Sequence, residues 1–206
     1  MSAPFDRPTS EPGGCICDEC GKVFIGAEWH SLCAICNVRR AASGKGAIVS
    51  DCGKFRYRLD RKIGEAGPVY AFFGINPSTA DASMDDATVR KWNGFAQRWD
   101  ASRYVVGNVF AFRSTDVRAL ATAADPIGRL NNDHIKQIIA EADILVPCWG
   151  DQTKVPSGLR MHFHWMRQVL EAAGKPIKTF GLSKGGFPKH PLMLGYDTPL
   201  VDWVDA

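Results

Sequence analysis

Val69–Trp99 reads VYAFFGINPSTADASMDDATVRKWNGFAQRW. The apolar run Val69–Phe73 stops at Gly74-Ile75-Asn76-Pro77-Ser78. A short apolar run ended by Gly and Pro predicts a buried strand that opens into a loop. The period then changes, and Val89, Trp92, Phe95, Ala96 and Trp99 fall on one face of a helix. Asp85 or Asp86 stands where an N-cap belongs, before a helix beginning near Ala87. The alternative is that one of these two aspartates is a catalytic carboxylate.

Outward from this unit the same alternation recurs. KFRYRL (54–59) alternates as a strand near a sheet edge, and Tyr104–Val109 is a second buried strand. Residues 131–141 read as a helix, Ile144–Val146 as a strand, and Leu159–Ala173 as a helix with Gly174 just past its end. Ile177–Phe180 is the last strand, and PLVDWV (199–204) is apolar enough to dock. Strand–helix alternation predicts an α/β fold, a three-layer α/β/α sandwich with a mainly parallel sheet, over residues 50–206. AASGKGA (41–47) reads as a linker, and residues 1–14 as a flexible tail.

The chain has 206 residues, 25 basic and 22 acidic, with a formal charge of +3. At 45% hydrophobic and 23% charged it has globular composition, not that of a disordered or fibrous chain. No apolar run approaches the length that spans a bilayer, so no membrane partner is expected. The first residues carry no charged start with an apolar core, which predicts a cytoplasmic protein. The weak net charge neither requires nor excludes a nucleic-acid face.

Five of seven cysteines (Cys15, Cys17, Cys20, Cys33, Cys36) crowd into residues 15–40. Cys17-x-x-Cys20 and Cys33-x-x-Cys36 are two knuckles, each placing two thiolates on one side of a tight turn. Two such turns close a tetrahedron around zinc at about 2.3 Å per bond. Four thiolates leave no open position, so the zinc is expected to be structural. Cys15 rivals Cys17, and His30 rivals Cys33, as ligands. Lys22, Arg39 and Arg40 either touch phosphate or solvate the knuckle.

Ligands of open α/β sheets bind beyond the carboxyl ends of the strands. Four predicted strand or loop ends carry polar residues there: Gly74–Ser78, Gly107-Asn108-Val109, Trp149-Gly150-Asp151 and Lys189-His190-Pro191-Leu192. Asn108, in an apolar strand, costs stability unless its amide is paired. Its partner is either a ligand edge or loop backbone. His134 is expected on an exposed helix face. His162 and His164 sit on different faces of one helix, and Cys148 reads as a buried thiol. Arg113, Ser114 and Asp116 either bind phosphate or cap a turn.

From about Lys54 to Trp203 the chain resembles the domain-of-unknown-function family 1643, on FGINPSTADASMDD, NVFAFRSTD, CWGD and GLSKGGFPKHPL. It is also distantly similar to the uracil-DNA glycosylase superfamily. GINPS resembles the GINPG loop of the mismatch-specific branch, and VVGNVFAFR its base-reading strand. ILVPCWGD resembles the strand ending in Trp-Gly, and KHPLML the HPS-type loop. The order of the four motifs is the same. The resemblance implies that Asn76 positions the attacking water, Asn108 reads the pyrimidine edge, and His190 stabilises the departing base. It places Gly74, Ile75, Pro77 and Ser78 in the substrate loop, and Leu192 or Met193 where a side chain wedges into the duplex. Phe110 and Phe112 are candidates for an aromatic wall, or for core packing. Three departures stand out: Asn76 replaces the Asp of the fast uracil enzymes, Ser78 replaces a Gly, and Pro191-Leu192 lacks the Ser of the HPS loop. The implied activity is hydrolysis of the N-glycosidic bond of a uracil-like or modified base in DNA. The rival readings are an enzyme on free nucleotides or nucleosides, and a catalytically silent nucleic-acid-binding module.

Overall fold

Val69–Gly74 (β5) is an interior strand of its sheet, and both of its faces are apolar. Tyr70 and Phe72 point into one layer, and Ala71 and Phe73 into the other. The computed structural model describes residues 14–16, 23–25 and 44–203. The chain divides into two units, Met1–Ala42 and Ser43–Ala206. In the first unit, Gly14–Ile16 (β1) pairs antiparallel with Val23–Ile25 (β2), Cys15 opposite Phe24. Cys17, Cys20, His30, Cys33 and Cys36 lie outside the described residues. Among the described residues no group of three or more His, Cys, Asp or Glu is placed to hold a metal ion.

The second unit is a mixed α/β fold with three α-helices. Its sheet comprises Lys45–Val49 (β3), Arg56–Lys62 (β4), β5, Arg103–Asn108 (β6) and Ile144–Pro147 (β7), in the order β3-β4-β6-β5-β7. β6, β5 and β7 run parallel, while β3 pairs β4 and β4 pairs β6 antiparallel. The sheet is therefore mixed, less uniformly parallel than strand–helix alternation suggests. β3 corrects the linker reading at residues 45–47, while residues 41–43 lie outside the described residues. Gly44, Gly46 and Ala47 look like a flexible joint, but Ala47 packs against the core and the backbone pairs with β4.

Ala87–Arg98 (α1) buries Val89, Trp92, Phe95 and Ala96. They pack against Tyr70, Phe72, Tyr104 and Val146 on one sheet face. Phe95 is fully buried, and a Phe→Ala exchange at such a site costs about 3–5 kcal/mol. Asn131–Glu141 (α2) and Met161–Ala172 (α3) pack on the opposite face through Ile135, Ile138, Phe163, Met166 and Leu170. His134 is buried and stacks on Tyr57 at 5.3 Å, not exposed as its sequence neighbours suggest. Beyond β7, Ile177 bridges Leu145 in parallel, and Lys178–Thr179 (β8) pairs antiparallel with Val201–Asp202 (β9). Trp203 docks edge-on against Trp149 at 5.8 Å. Among the described residues no helix is long and apolar enough to cross a membrane.

Candidate active site at the carboxyl ends of the parallel strands

β5, β6 and β7 end side by side. Gly74 is in register with Asn108, Val109 N donates to Gly74 O (3.0 Å), and Cys148 N donates to Phe73 O (2.9 Å). The three chains then diverge and open a pocket of about 150 Å³. It is lined by Gly74, Ile75, Asn76 and Ser78 after β5, Asn108 at the end of β6, Trp149 after β7, and His190. Arg56 on β4 and Asp86, Thr88 and Trp92 at the start of α1 complete the lining.

Asn108 is 2% exposed, and its Nδ2 has no hydrogen-bond partner among the described residues. An unpaired buried amide costs about 1–3 kcal/mol, which a ligand acceptor would offset. The position is held from both sides. Asn131 Nδ2 donates to the carbonyls of Asn108 (3.0 Å) and Val109 (3.1 Å). A Cβ on Gly74 would lie 2.9 Å from Asn108 Oδ1, so only glycine leaves room for this amide.

Asn76 is differently employed. Its Nδ2 donates to Ser114 O (2.8 Å), Pro77 O (3.2 Å) and Phe112 O (3.4 Å). Three carbonyls can only be met by the NH2 end, so Oδ1 is the atom left for the pocket.

His190 begins the short turn Pro191–Met193, and its Nδ1 accepts from Leu192 N at 3.3 Å. A neutral imidazole that accepts at Nδ1 carries its proton on Nε2. Burial, with Lys154 nearby, holds His190 below the usual histidine range, while Asp86 opposes the shift. The ring is therefore neutral at pH 7 and is a donor at Nε2. Gly150 has φ +78°, and its missing Cβ would sit 3.1 Å from His190 Cβ. Gly150 N donates to Pro188 O (2.9 Å), tying the two loops together.

Asp86 is the cap of the two aspartates, and it also stands beside the pocket. One oxygen, Oδ1, caps α1 by accepting from Val89 N at 2.9 Å. Asp85 belongs elsewhere: it accepts from Arg61 and Asn93 and locks the 81–85 loop onto β4. Arg56 is 2% exposed; its NH1 donates to Ala80 O (2.7 Å), and its Nε has no partner. Burial lowers Arg56 to about 10, which leaves it a cation at pH 7.

Of the two places open to Phe110 and Phe112, wall or core, both residues take core packing. Phe110 is fully buried and packs edge-on against Phe163 (5.9 Å) and His162 (5.7 Å); Phe112 packs against Phe55 (6.2 Å). Neither lines the pocket, because both follow the end of β6 and turn toward the α2–α3 side. Trp92, stacked on Phe72 at 5.3 Å, and Trp149 supply the rings. Trp149 Nε1 is buried without a partner. Pro77 lies in the loop without lining the pocket. Beside His190, Leu192 is 41% and Met193 90% exposed. Cys148 is buried, and burial pushes its thiol up to about 12, so it is inert at neutral pH. Reading the residues alone missed Arg56 and Thr88 as pocket residues, and marked Trp149 only as part of a strand end. Trp92 was visible only as a core position of α1, and nothing in its period says that its ring edge also faces a cleft.

Comparison with curated proteins gives no match, and no solved structure matches the chain. Residues 56–192 match the family described as Protein of unknown function (DUF1643), a span from Arg56 to Leu192 that takes in every residue of the pocket. The chain belongs to the DUF1643 family.

Proposed function

We propose that this pocket receives a single base turned out of DNA and hydrolyses its N-glycosidic bond, on a uracil-DNA-glycosylase-like three-layer fold that carries a zinc knuckle at Cys17, Cys20, Cys33 and Cys36. The observation that carries the reading is the unpartnered, buried amide of Asn108, set at a strand end between two indole rings and a neutral histidine donor. Size agrees: a cavity of about 150 Å³ accepts one benzene-sized ring.

The chemistry follows from the donors. The C1′–N bond breaks toward an oxocarbenium-like sugar, and its electron pair goes to the base. His190 Nε2–H donates to the base oxygen on which that charge collects. Asn108 reads the ring edge, and Trp92 and Trp149 wall it. A water oriented by Asn76 Oδ1 bonds to C1′. Asp86 takes the proton that the water gives up, filling the place of the aspartate absent from the first loop, and passes it to the departed base anion, so the base leaves neutral and Asp86 is restored. Leu192 and Met193, exposed beside His190, fill the gap left in the duplex.

The test is single-turnover cleavage of oligonucleotides containing uracil, hypoxanthine or modified pyrimidines, developed with alkali. Abasic sites formed by the wild type, and lost about 100- to 1,000-fold in His190→Ala, support the assignment. Binding without any abasic site would make the protein a recognition module. Binding through phosphates would weaken by about 0.9 log units per contact per log unit of salt on duplex DNA.

A further inference from the structure

Arg56 is a buried cation with an incomplete set of partners. It stands on β4 at 2% exposure, and no carboxylate lies within 4 Å of it among the described residues. One amino group is tied to Ala80 O, while Nε, although buried, donates to nothing. Arg61, five residues on, shows what a structural arginine on the same strand looks like. It is equally buried, but it meets Asp85 at 2.6 Å and three backbone carbonyls within 3.3 Å. Asp86 and Asp81 favour the cation through space but neither pairs with it directly, and a buried charge so incompletely countered is costly unless something supplies the rest. The opposing carboxylate in the pocket, Asp86, is half-buried and held at the mouth by its cap on α1. Arg56 and Asn108, by contrast, are both sealed in the floor. The floor is therefore a donor surface with positive charge.

We propose that Arg56 is an anion-stabilising residue that makes the floor of this pocket bind a six-membered nitrogen ring in its ionised form more tightly than the same ring when neutral. The proposal rests on the reading that the pocket takes a base. The ring it favours has the charge of a base parting from its sugar, with the bonding pair retained on the ring. Arg56 meets that charge from the floor, while His190 meets it from the mouth. Because the guanidinium is fixed before the charge appears, it needs no rearrangement to meet it.

The experiment is equilibrium binding followed through the fluorescence of Trp92 and Trp149. The probes are uracil, which is neutral at pH 7.5, and two analogues of similar size that are ionised there, 5-nitrouracil and barbiturate. The wild type should bind the ionised rings about 10- to 100-fold more tightly, the worth of one charge-assisted hydrogen bond. Arg56→Met should bring all three probes to within about 3-fold of one another, and Arg56→Lys should restore part of the preference. If Arg56→Met does not fold, the wild-type ratio and the lysine variant decide alone. Uracil binding with no preference for the ionised rings overturns the role of Arg56 but leaves the base pocket standing. Failure of all three rings to bind the folded wild type overturns the base pocket, and the role of Arg56 with it.

Discussion

Asn76→Asp is the exchange that separates the two things Asn76 can do. The resemblance to the uracil enzymes makes it attractive, because it would install the carboxylate their first loop carries. The hydrogen bonds point the other way. Asn76 Nδ2 donates to Ser114 O at 2.8 Å, Pro77 O at 3.2 Å and Phe112 O at 3.4 Å. An oxygen in that place would face three carbonyl oxygens with nothing to donate. Losing the shortest bond costs about 0.5–1.5 kcal/mol, and leaving a part-buried acceptor unpaired adds about 1–3 kcal/mol. For a unit of this size each kcal/mol is about 2–4 °C of melting temperature, so a loss of about 3–18 °C is expected at pH 7.5. The introduced carboxyl can escape only by keeping a proton, which raises its pKa above the unfolded value of about 3.9. The folded variant then holds a proton that the unfolded chain has released. Its deficit against wild type should be small near pH 4 and should grow as pH rises through the raised pKa. Thermal melts of both proteins at pH 4.5 and 7.5 read this directly. A variant that melts within 1 °C of wild type at both values would refute the argument and return Asn76 to its role as a free water-positioning residue.

Gly74→Ala should leave the sheet folded but push Asn108 aside, since the new Cβ would meet Asn108 Oδ1 at 2.9 Å; affinity for uracil, measured by tryptophan fluorescence, should fall at least about 10-fold, with a stability loss of about 1–3 kcal/mol. The folded chain resists protonating His190, whereas the unfolded chain accepts the proton near 6.5. Stability from this ring is therefore complete above that pH and declines as pH falls below it, and denaturant melts between pH 7.5 and 5.5 should show a slope that His190→Gln reduces, His162 supplying part of the remainder. Purified protein should contain one zinc per chain by elemental analysis, and a double exchange, Cys17→Ser with Cys36→Ser, should lose it while leaving the circular dichroism of the second unit largely intact.

The helices and parallel strands were legible because their signals are local. The 3.6-residue period of Val89, Trp92, Phe95 and Ala96 predicted the buried face of α1, and the apolar run Val69–Phe73 predicted β5. What stayed hidden depends on partners distant in sequence. Arg56 and His134 look like surface residues until Ala80 O and the Tyr57 ring are brought to them. β3 begins within the Gly- and Ala-rich stretch 41–47, which hides it as a strand, and its pairing with β4 reveals it. Asn108 was readable as a costly polar residue in an apolar run, and Asp86 as a cap. That the same Asp86 also borders the cleft follows from where α1 begins relative to β5 and β6, which no window of sequence contains. Phe110 and Phe112 stayed open between wall and core because a strand end gives no sign of which way the chain turns after its last pair.

The irregular register between β3 and β4 at Ile48 and Val49 has a consequence for how this protein behaves at high concentration. β3 is the outer strand on its side, and among the described residues no strand pairs with its far rim. A straight rim of free amides and carbonyls invites another chain to add on. Here the rim is five residues long, begins with Lys45 and is bent near its other end, so a docking strand would find neither length nor a flat ladder. On the opposite rim β7 is capped by the short bridge from Leu145 to Ile177. The open sheet that presents the pocket at its strand ends is thereby discouraged, at both sides, from growing into a fibre.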